Sequence, residues 1–203
     1  MRVLGKDLKT LGEGEWLNGP IIQYYLSMLA EGSSTYIFST YFYTSYSDGG
    51  YSKVAKWTSK IDIFSFDKLL VPVHLGGHWV LVVVDNRRQT VIGYDSMGND
   101  VRRWIMTVKR YLKDEYEERK GSDFDPYTTI EAGSVPIQEN YDDCGILLLL
   151  FAERIIHDMD VADIDPAESN TSFQRSLIIW EIVNGKRLVD RNPLSFWGGH
   201  VVQ

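Results

Sequence analysis

Cys144 is the only cysteine in 203 residues. A free cysteine is commonly an inert, buried, small hydrophobe, and a minority are nucleophiles. The neighbourhood of Cys144 favours the second reading. A polar, turn-prone run, Val135 to Asp143, leads into it, and Gly145 and the unbroken apolar run Ile146 to Phe151 follow it. That run, continued by Ala152, Ile155 and Ile156, reads as a buried helix. Cys144 is therefore expected at or just before the N-terminus of a core helix. Unpaired backbone N–H groups and the positive end of the helix dipole converge there and favour thiolate over thiol. Gln138 stands six residues upstream, and His78 and Asp95 supply an imidazole and a carboxylate elsewhere in the chain.

The elements that would carry His78 and Asp95 are the clearest in the sequence. Trp79 to Asp85 is a continuous apolar, β-branched run ending on an acid, the pattern of a strand buried on both faces. Asn86 to Gln89 is a turn, and Thr90 to Asp95 is the return strand. If Asp85 pairs with Thr90, position 78 lies opposite 97 and Asp95 becomes the diagonal neighbour of His78 on the same face. Diagonal partners are about 7–8 Å apart, within reach of two polar side chains. A one-residue slip would send them to opposite faces. His78 could equally be a strand-end surface residue, Asp95 a turn former and Gln138 a loop residue. The other histidines, His74, His157 and His200, lack a matching aspartate, and His157 is explained as a partner of a helix C-terminus.

The remaining elements follow from periodicity. Asn18 or Gly19 caps a helix with Pro20 in its first turn and Ile21, Ile22, Tyr25, Leu26 and Leu29 on one face. Trp16 precedes that cap, either as a core staple or as a cleft wall. Residues 33–52, rich in tyrosine and serine, read as loop or short irregular helix. Leu69 to Leu75 reads as a strand, with Pro72 favouring an edge or a strand start, and Gly76-Gly77 as a turn. Asn99 is the expected cap of a helix running from Val101 to Gly121. Thr128 to Glu131 is a short strand, and Phe173 to Ile182 lies in a last helix ending at Gly185. The fold class is α+β, a central mixed sheet flanked by helices in a papain-like arrangement. A single catalytic domain spans 1–203, with its core at about 10–190 and Phe196 and Trp197 in a polar tail over 191–203.

Composition removes several function classes. A formal net charge of -7 and a pI of about 5.1 argue against a general nucleic-acid binder. Met1 to Leu11 is too polar for a signal peptide, and no stretch reaches membrane-span length. A single cysteine excludes internal disulfides and points to a reducing compartment, the nucleus or the cytoplasm. A monomer is expected. No metal or cofactor is expected either: the acidic run Asp158 to Asp165 lacks the glycine that a calcium loop needs at its sixth position.

Four pieces in order carry a resemblance: Trp16-Leu17-Asn18 before a helix, Gly77-His78-Trp79 opening a strand, Tyr94-Asp95-Ser96 closing the next, and Gln138 with Asp143-Cys144-Gly145. With the helix Phe173 to Ile182 they resemble the SUMO-specific proteases, cysteine proteases that process ubiquitin-like modifiers, over about residues 10–190. The resemblance implies Cys144 as nucleophile, His78 as general base and acid, Asp95 as the group orienting the imidazole, and Gln138 in the oxyanion hole. Trp16 and Trp79 would wall a tunnel for the modifier's C-terminal Gly-Gly, with Asn18 and Gly77 beside it. The partners implied are SUMO or a related modifier and its lysine conjugates. Gly19 stands where the family often has an acidic residue facing the modifier, which leaves a Nedd-type modifier open. Leu147 to Leu150 are bulkier than usual after the nucleophile and imply different packing. Effector acetyltransferases reuse a similar His-acid-Cys arrangement, but no coenzyme A site is visible in this chain.

Overall fold

The computed structural model describes residues 2–122, 126–131, 135–165 and 168–188. The expected tail with Phe196 and Trp197 lies outside them, as does His200. One mixed sheet runs through the molecule in chain order. Its strands are β1 (Thr35–Ile37), β2 (Lys68–Leu75), β3 (His78–Asp85), β4 (Thr90–Tyr94) and β5 (Thr128–Glu131). β2, β3 and β4 form an antiparallel meander, and β1 and β5 add parallel on either side. The fold class read from the sequence, α+β with a mixed sheet, is the one observed.

Alternation along the buried strands feeds two separate cores. Leu81 and Val83 of β3 face one side, where α2 (Gly19–Leu29), α6 (Cys144–Ile156) and α7 (Thr171–Asn184) pack. Val80, Val82 and Val84 face the other, against α3 (Phe42–Gly49), α4 (Tyr51–Val54) and α5 (Arg102–Lys120). A short helix, α1 (Gly5–Leu8), lies beside α2. The sheet is thus covered on both faces, which explains why β3 reads as an unbroken apolar run. The four leucines Leu147 to Leu150 are all buried in the α6 core. Burying each stabilises by about 1.5–3 kcal/mol relative to exposure.

The hairpin register is the one read from the sequence, with Asp85 opposite Thr90 and Leu81 opposite Tyr94. Pro72 sits inside β2, but β1 pairs only with positions 68 to 70, so β2 is the sheet edge at Pro72 and no ladder bond is lost. One expectation is met in part and one needs correction. Residues 33–52 hold β1, α3 and the start of α4, because Phe42, Tyr43 and Tyr46 form an apolar face buried against Tyr111 and its neighbours. Asn99 does not cap α5: Val101 occupies the cap position and the Asp100 carboxylate accepts from the Arg102 N–H. Asn99 is engaged elsewhere, on Asp95.

Candidate functional site

Cys144 is the first residue of α6 and is 2% exposed. Close packing holds it there. A Cβ on Gly145 would lie 2.8 Å from the Leu17 Cβ, so the head of α6 is pressed directly on the segment that carries Trp16 and Asn18. Only glycine allows that approach.

His78 opens β3 and Asp95 follows β4, and the register brings them together as diagonal neighbours. His78 Nε2 and Asp95 Oδ1 are 2.6 Å apart. The carboxylate is 4% exposed and fully used: Oδ1 also accepts from the Met97 N–H at 3.0 Å, and Oδ2 accepts from the Asn99 N–H at 3.0 Å and the Asn99 side-chain amide at 2.8 Å. Burial opposes its charge, but the donors from His78, Met97 and Asn99 outweigh burial and hold the carboxyl below its usual range. For His78, burial likewise disfavours the cation. Hydrogen bonds to Asp95 and Cys144, with their charges, outweigh it and push the imidazole up to about 9. Since Nε2 faces Asp95, Nδ1 is the nitrogen left for the thiol. A thiol, an imidazole and a carboxylate in this chain of contacts can hold a thiolate–imidazolium pair and pass a proton to a leaving group. His74, by contrast, stacks on Trp79 with ring centroids 4.3 Å apart, and burial followed by the nearby His78 keeps its pKa low.

Gln138 lies at the same site, anchored to the turn after β4 by its backbone N–H, which donates to the Ser96 carbonyl at 2.9 Å. Its side-chain amide donates to the Asn140 carbonyl at 2.7 Å and its Oε1 accepts from the Ser96 hydroxyl at 2.6 Å. Trp16 is 56% exposed and its indole covers Gly77, where an added Cβ would lie 2.6 Å from the ring. Gly77 has a φ of +98°, a left-handed conformation that a side chain would strain.

Trp79, the second wall implied by the resemblance, lies beneath the Trp16 segment. It is 3% exposed, packs in the α6 core, and its Nε1–H donates to the Leu17 carbonyl at 2.8 Å. It therefore holds the Trp16 segment from beneath. Asn18 is the cap of α2, accepting from the Ile21 N–H at 3.1 Å and donating to buried Asp7 at 3.0 Å. Its side chain is largely committed to structure, and one N–H remains for a substrate.

Sequence reasoning missed the support beneath the cysteine. Asp143, 6% exposed, pairs with Arg175 at 2.8 Å, and also accepts from Thr171 at 2.7 Å and Asn140 at 2.7 Å. Arg175 reaches on to the Gly12 carbonyl at 2.8 Å and the Asp142 carbonyl at 3.1 Å. Burial opposes the Asp143 charge, and Asn140, Thr171 and Arg175 outweigh it to hold the carboxyl low. One pattern could have exposed this: Arg175 lies three residues before Ile178 and seven before Ile182, on the buried stripe of α7. Among the described residues no cluster of histidine, cysteine or acidic side chains could hold a metal ion, and no helix is long and apolar enough to cross a membrane.

Residues 15–177, which include Trp16, His78, Asp95, Gln138 and Cys144, match the Ulp1 protease family, C-terminal catalytic domain. The chain belongs to that family. It is 32% identical to a sentrin-specific protease of Caenorhabditis elegans over 93% of this chain and 28% of that protein. It is 30% identical to human sentrin-specific protease 2 over 93% of this chain and 33% of that protein. The chain thus spans about a third of these curated relatives. Among solved structures, the SUMO protease Ulp1 with its catalytic cysteine oxidised to a sulfinic acid superposes with a TM-score of 0.77 at 28% identity, covering 91% of this chain and 84% of that one. The C-terminal Ulp1 protease domain in complex with SMT3, the yeast ortholog of SUMO, gives a TM-score of 0.76 at 28% identity, covering 88% and 81%. A match to the Ulp1 family sets the acetyltransferase alternative aside.

Proposed function

We propose that this chain is a cysteine protease and isopeptidase that cleaves after the C-terminal Gly-Gly of a ubiquitin-like modifier, SUMO in the first instance. The observation that carries the reading is the His78–Asp95 pair, 2.6 Å apart, with its imidazole held charged beside Cys144 at the head of α6. The Cys144 thiolate attacks the carbonyl of the terminal glycine. Negative charge develops on the carbonyl oxygen and is met by a Gln138 amide N–H and by backbone N–H near Cys144. The His78 imidazolium gives its proton to the departing amine, a lysine ε-amine in a conjugate or a peptide nitrogen in a precursor. Water, deprotonated by His78, then releases the modifier from the thioester. Asp95 keeps the ring in one orientation throughout. The Trp16 indole packs directly on Gly77, where an added Cβ would meet the ring at 2.6 Å, so this wall of the site itself requires glycine at position 77.

Sentrin-specific proteases among the relatives and the SMT3-bound Ulp1 structure support SUMO as the modifier. The test is reaction with SUMO-, Nedd-type- and ubiquitin-derived probes carrying a C-terminal electrophile, side by side, with Cys144→Ala as control. SUMO labelling of the parent and none of the control is expected. Preferential labelling by the Nedd-type probe would replace the modifier assignment. Equal labelling of Cys144→Ala would refute the nucleophile.

A further inference from the structure

We propose that Ser96 is a positioning residue for cleavage, setting the direction in which the Gln138 amide presents its N–H. This rests on Gln138 serving the oxyanion. The Gln138 side chain has two different ends, and only one orientation is useful: with the amide reversed, an oxygen would face the developing negative charge and repel it.

Two contacts on opposite ends fix the orientation. A backbone carbonyl can only accept, so the atom 2.7 Å from the Asn140 oxygen must be the Gln138 amide nitrogen. Oε1 then faces the Ser96 hydroxyl at 2.6 Å, and Ser96 must donate. One N–H of the amide is spent on Asn140, and the other remains for a substrate oxygen. Gln138 is only half-buried, so packing alone does not stop its amide from rotating. Ser96 is 2% exposed and follows Asp95 directly, so the strand end that orients the imidazole also orients the amide donor.

A structural role of Ser96 is separable. Its backbone carbonyl anchors the loop through the Gln138 N–H, and that bond survives any side-chain change. Ser96→Ala therefore keeps the loop in place and leaves the amide direction held by the Asn140 carbonyl alone. Since the contact acts on the transition state alone, the loss falls on kcat and spares KM. Losing an oxyanion donor outright costs about 10²–10³ in rate, so freeing it to rotate should cost about tenfold.

The experiment is a double-mutant cycle of Ser96→Ala and Gln138→Ala on a modifier–fluorophore substrate. It is read with thermal melting and with alkylation of Cys144 by iodoacetamide, which forms no oxyanion. Expected are a roughly tenfold lower kcat in Ser96→Ala with KM, melting and alkylation unchanged. Recovery in Ser96→Thr, which keeps the hydroxyl, and no added loss from Ser96→Ala in the Gln138→Ala background are also expected. Parent-like kcat in Ser96→Ala beside a slow Gln138→Ala overturns the positioning role alone, as does an equal further loss in the Gln138→Ala background. Parent-like kcat in Gln138→Ala overturns the oxyanion assignment and the proposal with it.

Discussion

His78 takes its character from what touches its two nitrogens. Asp95 on one side and the thiol on the other favour the cation more than burial disfavours it. The folded value, about 9, lies above the ordinary 6.5. The stabilising contribution of the pair is therefore complete below about pH 6.5 and is lost as pH rises through about 9. Cleavage needs the same imidazolium to protonate the leaving amine, so kcat/KM should fall on the basic side near pH 9. Asp95→Asn removes the charge and should move that limb downward toward the ordinary imidazole value. A pH profile of both proteins checks this, and an unmoved limb in Asp95→Asn would show that the carboxylate does not set the charge on the ring.

At the scale of elements, two junctions present the thiol and the slot. The segment ahead of α6 is held to α7 by Asp143 and Arg175, a buried ion pair extended to the Gly12 carbonyl. Breaking one side of such a pair leaves an uncompensated buried charge. Arg175→Met should therefore cost about 3–5 kcal/mol in urea unfolding and lower kcat by displacing Cys144. A change below 1 kcal/mol would mean that the segment is held by Asn140 and Thr171 without Arg175. The second junction is the Gly76-Gly77 turn under Trp16. Gly77→Ala imposes a left-handed strain of about 1–3 kcal/mol and thrusts a methyl group into the indole. Its expected effect is a raised KM for the modifier with Cys144 alkylation unchanged. Parent-like KM would separate the Trp16 indole from substrate selection.

The whole molecule places its site at the end of a sheet shared by two cores. α6 and α5 lie on opposite faces of β3, and neither core closes without that strand. Leu149→Ala in the α6 core and Ile105→Ala in the α5 core each open a cavity at a residue 1% exposed or less. Each should cost about 2–5 kcal/mol. Because the sheet couples the cores, both variants should lower one common transition, followed by tryptophan fluorescence and circular dichroism together. Two separated transitions in either variant would show that the faces unfold independently.

The sequence alone determined the elements whose signals are local. The apolar run after Cys144, the β-branched run after His78 and the four-residue turn between the strands fixed α6, β3, β4 and their register, and the register brought His78 to Asp95. Cys144, His78 and Asp95 were legible because local geometry links each to an element end, whereas Gln138, in the irregular run before α6, was singled out only by the family resemblance. What only the tertiary structure decided are contacts between segments distant in sequence. Arg175 meets Asp143 across 32 residues, Ser96 meets Gln138 across 42, and Trp79 turns inward to hold the Leu17 carbonyl across 62. Periodicity assigns a residue to a face, but it does not say which buried polar group lies opposite. The same limit left residues 33–52 undecided between loop and short helix: the tyrosines of α3 bury apolar rings and keep polar hydroxyls, and packing against Tyr111 places that helix in a core.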